Sequence, residues 1–94
     1  MRKIERATAF RRDYKREAKG RRGATLDREL VVVLAALAAD APLAARHRDH
    51  GLSGEWRGFR EGHIRPDLLL IYRKDEDELL RLARLGTHSE LFDD

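Results

Sequence analysis

No cysteine occurs in the 94 residues. That excludes a disulfide framework, a thiol nucleophile and any thiolate-bound zinc or iron–sulfur centre, and it fits a reducing compartment. A long apolar run is lacking too. A membrane span needs about 20 apolar residues, whereas the longest run, Leu30 to Ala39, has ten and stops at Asp40. It reads as part of a buried helix, with no membrane partner. The charged start Met1-Arg2-Lys3-Ile4-Glu5-Arg6 is followed by no apolar stretch of the secretory type. Repeats, low-complexity tracts and linkers are missing, and the length suits one domain spanning residues 1–94.

Charge, in contrast, is plentiful. Asp, Glu, Lys and Arg make up 39% of the chain, while 41% apolar residues still permit a core. The net charge of +3 hides an asymmetry. Residues 1–28 carry eleven Lys/Arg against four Asp/Glu, a balance of +7, and residues 29–94 carry nine against thirteen, a balance of −4. Sixteen of the twenty cations are Arg, whose planar fork suits phosphate and carboxylate. A polyanion such as nucleic acid, or an acidic protein, is the partner such a surface implies.

Periodicity predicts the elements. Residues 2–6 read as a short strand. Ala7, Phe10, Tyr14 and Ala18 fall at helical spacing and predict a helix over residues 8–19. Gly20-Arg21-Arg22-Gly23 breaks it. Leu26, Leu30, Val33, Leu34 and Leu37 mark the apolar face of a second helix, capped by Thr25 or Asp27 and ended near Asp40-Ala41-Pro42. Residues 43–54 read as a loop. Three strands follow at 55–60, 67–74 and 78–85, with a connection at 61–66 and a charged turn at Asp75-Glu76-Asp77. Thr87-His88-Ser89-Glu90 is a capping box that opens a last helical turn through Phe92. The order predicts an α+β sandwich: an N-terminal strand, a two-helix hairpin on one face of a twisted antiparallel sheet of about four strands, and a short C-terminal helical turn.

The candidate chemistry rests on histidine. His50, His63 and His88 each sit in a glycine-rich turn or strand-end context, where side chains reach a cleft. Asp67 lies four residues beyond His63, within hydrogen-bond range if the intervening segment is a hairpin corner. Imidazole can both take and give a proton near neutral pH. Such groups suit cleavage of RNA by its own 2′-hydroxyl, which needs a base, an acid and a cation but no metal or other cofactor. Arg81 or Arg84 on the last strand can supply the cation. A competing reading uses His47, His50, His63, His88 and Asp67 as ligands for a divalent metal. His47-x-x-His50 lacks the helical spacing of a metalloprotease pair.

Three patterns occur in order at matching spacing: Asp49-His50-x-Leu52-x-Gly54-x-Trp56-x-Gly58-Phe59-Arg60, His63-x-x-Pro66-Asp67-x-x-Leu70-Ile71-Tyr72 and Gly86-Thr87-His88-x-x-Leu91-Phe92. Together they resemble the YafQ branch of the RelE/ParE toxin superfamily, strongly over residues 49–92 and only in length, helix order and basic character before that. The resemblance implies a bacterial toxin of a type II toxin–antitoxin module. It would be a ribosome-dependent mRNA endonuclease working in the cytoplasm without a metal, and a cognate antitoxin would silence it in a hetero-oligomer. It implies a RelE-like sandwich with His50, His63, Asp67 and His88 as catalytic residues, His88 as the general acid and Phe92 stacking on a base. Leu68 departs from relatives that carry an aromatic residue after the aspartate. Two further alternatives are a gyrase-directed ParE-like toxin, which would need no histidine cluster, and a non-catalytic binding protein.

Overall fold

The run 68–72 is apolar at every position because it is covered on both sides. The computed structural model describes residues 1–76 and 78–92. Its elements are β1 (Lys3–Arg6), α1 (Thr8–Lys19), α2 (Leu26–Ala38), β2 (His50–Gly51), β3 (Arg60–Arg65), β4 (Leu68–Asp75), β5 (Leu79–Gly86) and α3 (His88–Phe92). They form one five-stranded sheet in the order β1-β5-β4-β3-β2. Leu68, Leu70 and Tyr72 of β4 join Leu80, Leu82 and Leu85 of β5 under Phe10 of α1 and Leu26, Leu30, Val33 and Leu37 of α2. Leu69, Ile71 and Ala83 face the other way, where Leu52, Trp56, Phe59, Leu91 and Phe92 pack on them. Each buried Leu contributes roughly 1.5–3 kcal/mol relative to exposure, so β4 anchors both layers.

The α+β class and both helices agree with the periodicity; the sheet differs in three respects. It has five strands, and β1 runs parallel to β5, pairing Lys3 with Leu79 through Arg6 with Leu82. The α1–α2 hairpin and the loop after it carry the chain across one face to the opposite edge, so the first strand and the last run the same way. The strand expected at 55–60 is a single tight turn of helix at Gly54–Trp56 and then a type II turn. There Arg57 lies at φ −56°, ψ 134°, Gly58 at φ +95°, and the Phe59 N–H donates to the Trp56 carbonyl at 2.9 Å. A positive φ of this kind suits glycine, and the turn sets the Trp56 and Phe59 rings edge to face, 5.2 Å apart. The connection expected at 61–66 is instead β3. Its polar residues hide the strand pattern because they face a site rather than a core. The charged turn includes Asp77, which lies outside the described residues.

The second helix starts without a side-chain cap. The Thr25 hydroxyl bonds Glu29 and the Arg22 carbonyl instead. His47 is buried, with Nδ1 donating to the His63 carbonyl at 2.6 Å, and so serves the fold.

Candidate active site

The two-residue strand β2 places His50 directly opposite Glu61 on β3. The preceding Asp49 is caught from two sides. The Tyr72 hydroxyl donates to it, and Arg60 donates from Nε and Nη2 at 3.2 Å each. Burial and the Asp49 carboxylate push the Tyr72 hydroxyl well above its ordinary range, so it remains a donor. His50 Nδ1 lies 2.7 Å from the Arg48 carbonyl. A carbonyl only accepts, so Nδ1 carries a proton and Nε2 is the nitrogen left for exchange. That Nε2 is 3.5 Å from Glu61 Oε2, and His63 Nε2 is 3.3 Å from the same oxygen.

Glu61 is 5% exposed. One nearly buried carboxylate therefore stands between two imidazoles. Whichever ring takes up a proton finds a counter-charge already in place.

Asp67, expected beside His63, is elsewhere. It is exposed at the β3–β4 turn and pairs with Arg22 at 3.5 Å. It shares a crevice of about 160 Å³ with Arg21, Arg65 and Thr87. The corner that was to fold Asp67 back onto His63 is a bulge between His63 and Arg65, and β3 sends His63 and Glu61 to the same face. Glu61 is the carboxylate of the pair. Its signal is the spacing Glu61-x-His63, which shares one face of a strand, although the polar run 61–66 suggests a connection.

On the other side of the face, α3 opens with a reciprocal cap. The Glu90 N–H donates to Thr87 Oγ1 at 3.2 Å, and the Thr87 N–H donates to Glu90 Oε1 at 2.7 Å. This fixes the turn that carries His88, whose ring tilts against Phe92 with centroids 4.9 Å apart. Gly86, two residues earlier, pairs with Leu69, and Leu69 pairs with His63. Two strand spacings of about 4.8 Å put Gly86, where the turn to His88 begins, roughly 10 Å from His63. The three histidines thus border one sheet face, two on one side and one on the other.

Arg81 is held by Glu5 on β1, with Nε–Oε1 at 2.8 Å. Arg84 instead lines a polar crevice of about 470 Å³ with Trp56, Glu90 and Phe92. Behind it stands a second residue that the sequence reading missed, Asp13 of α1, 1% exposed. The clue was its place three residues after Phe10, on the apolar stripe of the helix. Burial alone would push the Asp13 carboxyl up, but hydrogen bonds from Arg84 and the Leu85 N–H, with the charges of Arg84 and Arg16, hold it below the ordinary range. The hydrogen bond to Asp13 raises Arg84 in turn.

A carboxyl lowered on folding stabilises the fold above its unfolded pKa of about 4. That contribution disappears as the pH falls through the lower folded value. Glu29 is lowered by hydrogen bonds from Arg65 and Thr25 that outweigh its own desolvation. Asp40 is held at about 2 by Lys74 and Arg2. Urea unfolding between pH 6 and pH 2 is expected to show stability falling below about pH 4, with a shallower acid limb in Asp13→Asn. An unchanged limb in that variant would remove Asp13 from the acid response.

The layer order defines the class: a small RelE-like α+β sandwich, here with three histidines bordering one sheet face. A family model described as the bacterial toxin of type II toxin–antitoxin systems, YafQ, matches residues 2–93. The chain belongs to that family. The mRNA interferase toxin YafQ of Escherichia coli strain K12 is 53% identical over 51 residues, 54% of this chain and 54% of that protein. The same-named toxin of Escherichia coli strain B / BL21-DE3 is 38% identical over 92 residues, covering 98% of this chain and 97% of its own length. Among solved structures, a metal-bound toxin from Helicobacter pylori superposes with a TM-score of 0.87 at 42% identity, covering 98% of this chain and 100% of that one. The toxin in the Escherichia coli DinJ-YafQ complex superposes with a TM-score of 0.84 at 36% identity, covering 98% and 99%.

Proposed function

We propose that His50, Glu61 and His63 on one side of the face, His88 on the other and Arg84 beside it cleave message through the RNA's own 2′-hydroxyl. The chain is an mRNA interferase toxin, an endoribonuclease, and its protein partner is an antitoxin. In this reading the histidine–Glu61 group takes the 2′-OH proton and the freed oxygen attacks the adjacent phosphorus. The P–O5′ bond breaks, and His88 gives a proton to the departing 5′-oxygen. The products are a 2′,3′-cyclic phosphate and a 5′-hydroxyl. In-line displacement puts entering and leaving oxygens on opposite sides of phosphorus, so base and acid must flank it rather than touch. The placement of His63 and the His88 turn on strands β3 and β5, with β4 between them, supports that arrangement. Arg84 neutralises charge on the phosphoryl oxygens. Phe92 stacks on a base, worth roughly 1–3 kcal/mol, and Asp67 contributes a contact to bound RNA rather than a proton relay.

The observation that carries this reading is the single Glu61 oxygen shared by two imidazoles opposite the His88 turn. The basic excess of α1, with Arg11, Arg12 and Lys15 exposed, suits ribosomal RNA phosphates. The whole chain, residues 1–94, acts as one domain on translated message in the cytoplasm. Among the described residues no helix is long and apolar enough to cross a membrane.

The metal-bound neighbour favours a second reading, in which a divalent ion takes part. Among the described residues no three His, Asp or Glu side chains are arranged to hold a metal ion, and no step above passes through one. Mapping the 5′ ends of message cut on programmed ribosomes tests both. Cuts at fixed positions in the reading frame, made equally by toxin first stripped with EDTA and then freed of it, are expected. Cuts without frame would remove the ribosome from the reading, and loss of cutting by the stripped toxin, restored by a divalent transition metal, would replace the acid–base mechanism.

A further inference from the structure

Strand β1 covers β5 only as far as Leu82. Beyond it the outer edge of β5 runs under α1, and side chains of that helix take the place of a strand. Asp13 Oδ2 accepts the Leu85 N–H at 3.0 Å, and Arg16 Nη2 donates to the Leu85 carbonyl at 3.0 Å. Sealing one N–H needs only one neutral acceptor. Asp13 does more. Its Oδ2 also takes Arg84 Nε at 2.7 Å and its Oδ1 takes Arg84 Nη2 at 3.2 Å, with Arg16 Nη1 at 3.1 Å. Two oxygens gripping one guanidinium fix its plane as well as its position.

Strand geometry explains why Arg84 needs the grip. The pairing of β4 with β5 shifts between Ile71 and Tyr72, matching Ile71 with Arg84 and Tyr72 with Leu82 and skipping Ala83. A bulge of this kind re-aims a side chain out of the sheet's alternation, so the ladder alone does not set the direction of Arg84. The same α1 turn also reaches the helix that bears His88. Arg16 Nε lies 3.5 Å from Glu90 Oε2, and Glu90 caps Thr87. A Cβ at Gly86 would come within 3.0 Å of both Arg16 Nη2 and Glu90 Oε1, so the absent side chain there admits the pairing.

Resting on the clamp reading of Arg84 above, we propose that Asp13 is its positioning residue: a buried carboxylate on α1 aims the guanidinium at the scissile phosphate. Asp13 touches no substrate. The pairing uses Nε and Nη2 of a group with five donors, which leaves donors for a phosphoryl oxygen.

The test is single-turnover and steady-state cleavage of message on programmed ribosomes by the wild type, Asp13→Asn, Asp13→Glu, Arg84→Ala and the double variant Asp13→Asn/Arg84→Ala. Circular dichroism and unfolding curves establish that each is folded at the assay temperature. Arg84→Ala is expected to lose about 10²–10³-fold in kcat. Asp13→Asn should lose roughly 10–100-fold, with KM within about threefold, because a displaced clamp weakens the transition state more than binding. The double variant should lose no more than Arg84→Ala alone. Asp13→Glu keeps the charge but moves it by one methylene, and should fall between wild type and Asn; it stands in if the Asn variant does not fold. A folded Asp13 variant with wild-type kcat, or losses that add in the double variant, would overturn the positioning role while leaving Arg84 in place. Wild-type cleavage by Arg84→Ala would instead remove the clamp, and the inference with it.

Discussion

Replacing His88 by Ala is expected to abolish growth arrest while leaving antitoxin binding near wild type. A general acid contributes about 10²–10⁴-fold, and the proposed mechanism gives that role to His88. The ring lies at the start of a five-residue helix held by the Thr87–Glu90 cap and by Leu91 buried against the sheet. Removing the imidazole therefore leaves the backbone supports in place. The checks are growth after induction, cleavage rate on programmed ribosomes, and pull-down with the antitoxin. Persistent arrest at normal expression would take His88 out of the mechanism. Lost antitoxin binding would show that the substitution disturbs the surface and not just the chemistry.

Glu61→Gln is the second large effect. The amide keeps the shape but removes the charge that both Nε2 atoms face at 3.5 and 3.3 Å. Neither His50 nor His63 then has a counter-ion for the proton that the proposed mechanism assigns to it. Cleavage is expected to fall by about 10²-fold or more, within the range of a lost acid–base step, with KM little changed. His63→Ala should fall comparably. Combining it with Glu61→Gln should add little, since groups acting as one unit are non-additive. Wild-type rates in a folded Glu61→Gln protein would dissolve the shared-carboxylate arrangement. A wild-type rate for Asp67→Ala, in contrast, is compatible with it, because Asp67 pairs with Arg22 outside that cluster.

Much of this was legible in the chain. Helical spacing located α1 at residues 8–19, and the Thr87–Glu90 box located the start of α3, because both signals are local. The apolar run 68–72 announced a central strand, and its cover on both faces is a finding of the structure. The three motifs pointed to His50, His63 and His88. Other features were opaque. Most of strand β3 reads as a connection because Glu61, Gly62, His63 and Arg65 look like loop residues in the chain. The parallel pairing of β1 was hidden because it joins residues 3–6 to residues 79–82, far apart in the chain.

Composition and local pattern, then, set the helices, the central strand, the basic first third and the histidine inventory, since each depends on residues within a few positions of one another. Only the tertiary structure decided which carboxylate meets the histidines and which arginine a buried carboxylate grips. Glu61 reaches His50 because β2 adds antiparallel to β3, and Asp13 reaches Arg84 across 71 positions because α1 lies along the uncovered edge of β5. Ion pairing acts over a few ångströms of space, and sequence separation says little about that distance once a sheet and a helix hairpin have folded against each other.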